Sequence, residues 1–112
     1  MRDFDDEYKL HNSPIPERLK LARKKVGISQ KELGVRIGMD ESSASGRMNH
    51  YEKGRHVPDI QTLKKMANEL KVPLNYFFCE DDQSAELAVL VALLNDDEKK
   101  SLIESLNRSN IE

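Results

Sequence analysis

The sequence predicts an all-α fold, on three observations. Every stretch with a clear hydrophobic period has the helical spacing of three and four residues. No segment alternates apolar and polar residues, and no Asn-Gly hairpin signal joins two such segments. No internal repeat suggests a solenoid or propeller. The 112 residues amount to one domain with a small appendage.

A first helix is expected from about Pro16 to Lys25, with Leu19, Ala22 and Val26 on one face. Pro16 suits its first turn and Gly27 a left-handed stop. A second runs over Gln30–Ile37. Ser29-Gln30-Lys31-Glu32 reads as a capping box in which the Ser hydroxyl accepts from the Glu32 N–H and the Glu carboxylate reaches back. Leu33 and Ile37 form its inner stripe, and Gly38 ends it. A third begins at Asp40 and runs to Lys53 before Gly54, burying Ala44, Met48 and Tyr51. A fourth lies between Pro58-Asp59 and Lys71, with Leu63, Met66, Ala67 and Leu70 in phase. A short fifth over Leu74–Phe78 is expected to carry three aromatics into the core. Glu80–Ser84 is the best linker in the chain. Beyond it, Ala85–Leu94 is apolar nearly all round, and Asp96 is expected to cap a last helix to about Asn107, with Leu102, Ile103 and Leu106 on one side.

Composition excludes several classes. A single Cys cannot build a disulfide framework or a multi-thiolate zinc site. The apolar run Leu87–Leu94 is less than half a membrane span. Met1–Leu10 is acidic, unlike an export leader, so a cytoplasmic protein is expected. His11, His50 and His56 lack metal-ligand spacing, and no glycine loop cradles a phosphate. Cys79 beside Phe78 reads as a core or edge thiol. Neither an enzyme nor a cofactor is expected.

Charge is segregated along the chain. Residues 15–79 carry thirteen Lys/Arg against seven Asp/Glu, whereas residues 80–112 carry three against nine. A basic middle flanked by acidic ends suits a polyanion partner for the middle alone. The third helix agrees. At ~100° per residue, its side opposite Ala44, Met48 and Tyr51 carries Ser42, Gly46, Asn49 and Lys53, flanked by Ser43, Ser45 and His50, with Arg47 able to reach round. Glu41 and Glu52 are expected nearer the inner side. Hydroxyls, an amide, an imidazole and cations on one stripe are the chemistry of a helix laid in a DNA major groove, where Asn can grip adenine and Arg guanine. Gly46 costs a helix ~1 kcal/mol, which implies close approach to DNA or to a neighbouring backbone. Gln30 and Lys31 stand where free N–H groups attract phosphate.

Ser29-Gln30-Lys31-Glu32-Leu33, Ile37-Gly38-Met39, Tyr51-Glu52-Lys53-Gly54, Pro58-Asp59 and Leu70-Lys71-Val72-Pro73-Leu74 occur in order over about Ile15–Phe78. In this the chain resembles the Xre-type helix-turn-helix family, the five-helix DNA-binding domain of phage repressors and Cro proteins. The resemblance implies a five-helix phage-repressor-like DNA-binding domain, to which the helical segments after it add a C-terminal two-helix tail. It also implies that Gln30 binds a phosphate, that the third helix reads bases, and that Lys53 and Arg55 contact backbone. One departure is that Asp40–Gly54 spans fifteen residues where the family has about eleven. Four residues are about one turn, so the third helix is either extended by a turn or starts near Ser43.

Three segments follow: a flexible acidic segment 1–14, a DNA-binding domain 15–79 and a tail 80–112. The expected function is a sequence-specific double-stranded DNA-binding regulator, a bacterial or prophage repressor acting as a homodimer. The alternative is a protein-interaction module, an antitoxin or adaptor, using the same fold through the tail. Too few residues follow Cys79 for the self-cleaving peptidase domain of some phage repressors. The apolar tail either pairs with a second copy or packs back on Leu63, Met66 and Phe77.

Overall fold

The computed structural model describes residues 13–110. Residues 1–12 of the acidic segment, expected to be flexible, lie outside the described residues. Within them the chain is all-α: α1 Ile15–Val26, α2 Gln30–Arg36, α3 Glu41–Glu52, α4 Ile60–Leu70, a 3-10 turn Leu74–Phe78, α5 Asp82–Ala92 and α6 Asp96–Asn110.

The helical stripes read from the sequence meet in one core. Leu19, Ala22, Leu33, Ile37, Met48, Leu63, Met66, Ala67, Leu70 and Phe77 are all buried in it. Val26 departs from its expected inner position and is 41% exposed. It sits in the last turn of α1, at the mouth of an open groove shared with Leu70, Val72 and Leu90. Of the three aromatics expected inside, Phe77 is buried, Tyr76 is half-buried and Phe78 is exposed. A 3-10 turn eclipses residues three apart, so Leu74 and Phe77 share the inward side and Phe78 cannot join them.

The expected linker is shorter than Glu80–Ser84. Asp81 accepts from the Ser84 N–H at 2.7 Å and from its hydroxyl at 3.0 Å, capping α5, so Asp82 already belongs to a helix. Buried Arg18 of α1 ties this start down. Its Nε donates to the Cys79 carbonyl and its Nη1 to Asp82, both at 2.9 Å. Burial opposes the Arg18 charge, but the Asp82 carboxylate outweighs it and holds the pKa above its ordinary value. Only the beginning of α5 docks, through Ala85. The final helix is capped by Asn95 rather than Asp96. Asn95 Oδ1 accepts from the Glu98 N–H at 2.8 Å and Glu98 Oε1 from the Asn95 N–H at 2.9 Å, a reciprocal capping box that carries α6 on to Asn110.

Helix α6 buries no residue. The radius of gyration is 16.7 Å, against about 13 Å for a compact chain of this length. The tail projects from the core.

Candidate nucleic-acid interface

The interface rests on α2 and α3. Ser29 Oγ accepts from the Glu32 N–H at 3.0 Å, as the capping-box spacing requires. The reciprocal half is not made: the Glu32 carboxylate turns instead toward Arg36, at 3.8 Å. Gly38 closes α2 at φ +97°, a conformation that costs glycine little. The two helices then cross so closely that a Cβ on Gly34 would lie 2.8 Å from the Ala44 Cβ. Gly34 was not singled out in the sequence, because closeness of approach has no local signal.

Helix α3 is the version extended by a turn, starting after Asp40. Ala44 and Met48 are fully buried beneath it, while Tyr51 is half-buried. Ser42, Ser43, Ser45, Gly46, Arg47 and Lys53 are exposed on the other side, and Asn49 and His50 are half-buried at its edge. The Asp40 side chain makes no cap bond to the backbone; it accepts from the Ser42 hydroxyl. The Ser43 hydroxyl turns to the Asp40 carbonyl at 3.4 Å. The first-turn hydroxyls are thus partly engaged, and Ser45 stands clear of that cluster. Apart from its chain neighbours and its own helix backbone, no atom of the described residues lies within 4 Å of a Cβ built on Gly46, which removes close packing on a neighbouring backbone as the reason for that glycine.

The two acidic residues of α3 behave differently. Glu41, expected nearer the inside, has a side chain 77% exposed and pairs with Lys31 at 3.1 Å. In the first turn, helix phase places it beside α2 rather than beneath α3. Glu52 is buried and accepts from Arg23 Nε at 2.5 Å and Nη2 at 3.0 Å. Arg23 Nη1 donates to the Ile28 carbonyl at 2.8 Å. Gln30 joins the web, its Nε2 donating to Glu52 Oε1 at 3.1 Å and to Asn49 Oδ1 at 3.3 Å. A paired, multiply hydrogen-bonded charge is what burial demands. The web locks α1, the start of α2 and the end of α3 together.

After α3 the chain turns at Gly54, φ +73°, and the Arg55 N–H donates to the His50 carbonyl at 3.0 Å. This places exposed Arg55 beside Lys53 at the foot of α3. It also stacks His56 edge-on against His50, ring centres 5.0 Å apart. In the sequence His56 stands out only as a metal-ligand candidate, without ligand spacing. Its place beside the outward face comes from the turn, which spacing does not encode. Every residue expected to contact DNA thus lies on or at the rim of one surface built from α2, α3 and the loop after it.

Among the described residues no group of three or more His, Cys, Asp or Glu stands close enough to hold a metal. No described helix is long and apolar enough to cross a membrane.

Comparison with known proteins agrees with this geometry. Residues 19–77 match the family model described as helix-turn-helix. The chain is 34% identical over 70 residues to the HTH-type transcriptional regulator ImmR of Bacillus subtilis (strain 168), covering 62% of this chain and 52% of that protein. It therefore spans about half the length of this curated relative. The crystal structure of the transcriptional regulator BswR superposes with a TM-score of 0.76 at 45% identity, over 84% of this chain and 93% of that one.

Proposed function

The chain belongs to the Xre-type helix-turn-helix family, and from that premise we propose that it is a sequence-specific double-stranded DNA-binding transcriptional regulator acting as a repressor of bacterial or prophage origin. One observation carries the reading: α3 stands on a buried scaffold and turns outward a stripe of hydroxyls, glycine, amide, imidazole and cations. Ser45, Gly46, Arg47, Asn49 and His50 meet base edges, with Ser42 and Ser43 at the entry of the helix. Lys31, Lys53 and Arg55 hold phosphates, and Gln30 stands at the same rim. Both relatives are named as transcriptional regulators, which supports the regulatory role.

Residues 15–79 form the DNA-binding domain, and residues 80–112 pair two copies. Leu87 and Val91 lie at i and i+4 on the side of α5 away from its docking residue Ala85, with Leu90 at the edge of the groove it shares with Val26 and Leu94 just past the helix end continuing the spacing. Leu87 is 60% and Leu90 52% exposed. Leu93, Ile103 and Leu106, each more than half exposed, add to this apolar seam, the kind of surface that a partner covers. It carries no charge of its own, so a second copy covers it without mismatch. Two copies would then present two α3 helices to successive half-sites.

Selection from a random duplex library tests the reading. An enriched motif is expected, with affinity falling steeply with salt. Lys53→Ala or Arg55→Ala should each reduce the salt slope by about one without changing the motif. If no sequence is enriched, the regulator reading fails. The seam would then favour the second reading, an antitoxin or adaptor that binds a protein through residues 80–112.

A further inference from the structure

The buried web under α3 settles the polarity of a side chain on its outer edge. Glu52, held by Arg23, also accepts from Gln30 Nε2 at 3.1 Å. A carboxylate offers only lone pairs. The Gln30 amide therefore has to turn its NH2 toward Glu52, since the opposite rotation would set carbonyl against carboxylate. The second Nε2 hydrogen then meets Asn49, whose Oδ1 accepts it at 3.3 Å. Rotating the Asn49 amide would bring NH2 against NH2. Neither amide is free to flip. Asn49 Nδ2 makes no hydrogen bond among the described residues, and no polar side-chain atom of the web is buried without a partner, so Nδ2 is left with access to solvent.

Bidentate recognition of adenine needs an amide that accepts from N6 while donating to N7. In Asn49 one Oδ1 lone pair is already taken by Gln30, which holds the carbonyl toward α2, so the half of the amide left free for the groove is the Nδ2 donor. In the major groove adenine sets a donor, N6, beside its single acceptor N7, cytosine presents the N4 donor, thymine offers the single acceptor O4 beside a methyl group, and guanine alone offers two acceptors, N7 and O6, side by side. We infer that Asn49 is a donor-only reader that selects guanine, and that Gln30 and Glu52 act through it as positioning residues. This rests on the reading of α3 as the base-reading helix, and it replaces the expectation that Asn49 grips adenine.

The test uses the full chain and the duplex it selects from a random library. Comparing motifs of the unaltered protein and Asn49→Ala identifies the position that depends on Asn49. That position should be guanine. Replacing it with 7-deazaguanine, which lacks the N7 acceptor, should weaken the unaltered protein roughly tenfold and leave Asn49→Ala unaffected. Gln30→Leu releases the polarity constraint and should admit adenine there, provided its melting curve shows a folded protein. The 7-deazaguanine measurement needs no variant and decides the matter if Gln30→Leu does not fold. Adenine at the Asn49-dependent position, or a motif unchanged by Asn49→Ala, overturns the inference while leaving the DNA-binding reading intact. A library from which the unaltered protein selects nothing overturns both.

Discussion

Gly46 and Glu52 mark what single residues disclose. A glycine in mid-helix is conspicuous in any sequence, and its two possible reasons were legible. Only the structure removes one, since among the described residues no other element approaches it. Gly46→Ala should therefore raise stability by up to ~1 kcal/mol in chemical denaturation, because the helix gains propensity without a clash. The same change should weaken binding to the selected duplex in a gel shift if DNA approaches there. Stability and affinity moving in opposite directions is the outcome expected; unchanged affinity would leave the glycine without a role at DNA. Arg23 lies four residues after Leu19 on an apolar face, and Glu52 follows half-buried Tyr51. Each looks anomalous in sequence, but their pairing across 29 positions does not.

At the scale of elements, the sequence is most reliable where the signal is local. The Ser29 cap and the left-handed Gly27, Gly38 and Gly54 stand where spacing put them, and the extra turn of α3 kept its buried face in phase. Misreadings occurred where two local signals compete. Asp81 reads equally as linker or cap, and Asn95 as a stop or, with Glu98, as a start. Asp59 and Asp81 both accept backbone N–H groups, from Thr62 and Ser84, which hold their carboxyls below the usual range. A carboxyl lowered on folding contributes stability above its unfolded pKa and loses it as pH falls through the folded one. The double variant Asp59→Asn, Asp81→Asn keeps the caps and should melt like the parent at neutral pH. Its stability should fall less steeply below about pH 4. Parallel melting-temperature profiles in acid would contradict this. The α2–α3 crossing gives a sharper test. Gly34→Ala drives a Cβ to 2.8 Å from the Ala44 Cβ and 3.2 Å from its backbone. The overpacking outweighs the gain in helix propensity, so a loss of about 1 kcal/mol, read as a melting temperature a few degrees lower, is expected. Adding Ala44→Gly should restore the crossing more than its own helix cost predicts.

For the whole molecule, the proposed pairing of the tail would decide how the DNA-binding unit is used. A 15-residue helix with no buried side chain is marginal in water on its own. If residues 80–112 pair two copies as proposed, α6 would gain a packing surface that one copy does not offer it. Leu87→Glu with Leu90→Glu should leave the melting of residues 15–79 largely unchanged, because both side chains are more than half exposed. In sedimentation equilibrium the variant should be a monomer, and its affinity for a two-half-site duplex should drop to near that for a single half-site. A parent chain already monomeric at high micromolar concentration would remove the seam from the account of DNA binding.

The sequence by itself determined the all-α class, the helix order, the core stripes and the outward chemistry of α3. Those depend on periodicity and capping, interactions between residues one to seven positions apart. Tertiary structure alone decided the closeness of α2 to α3 at Gly34, the web that turns the Asn49 amide, and the hold of Arg18 on Asp82. Each joins side chains from different elements, and such contacts exist only once the core has fixed the elements against one another.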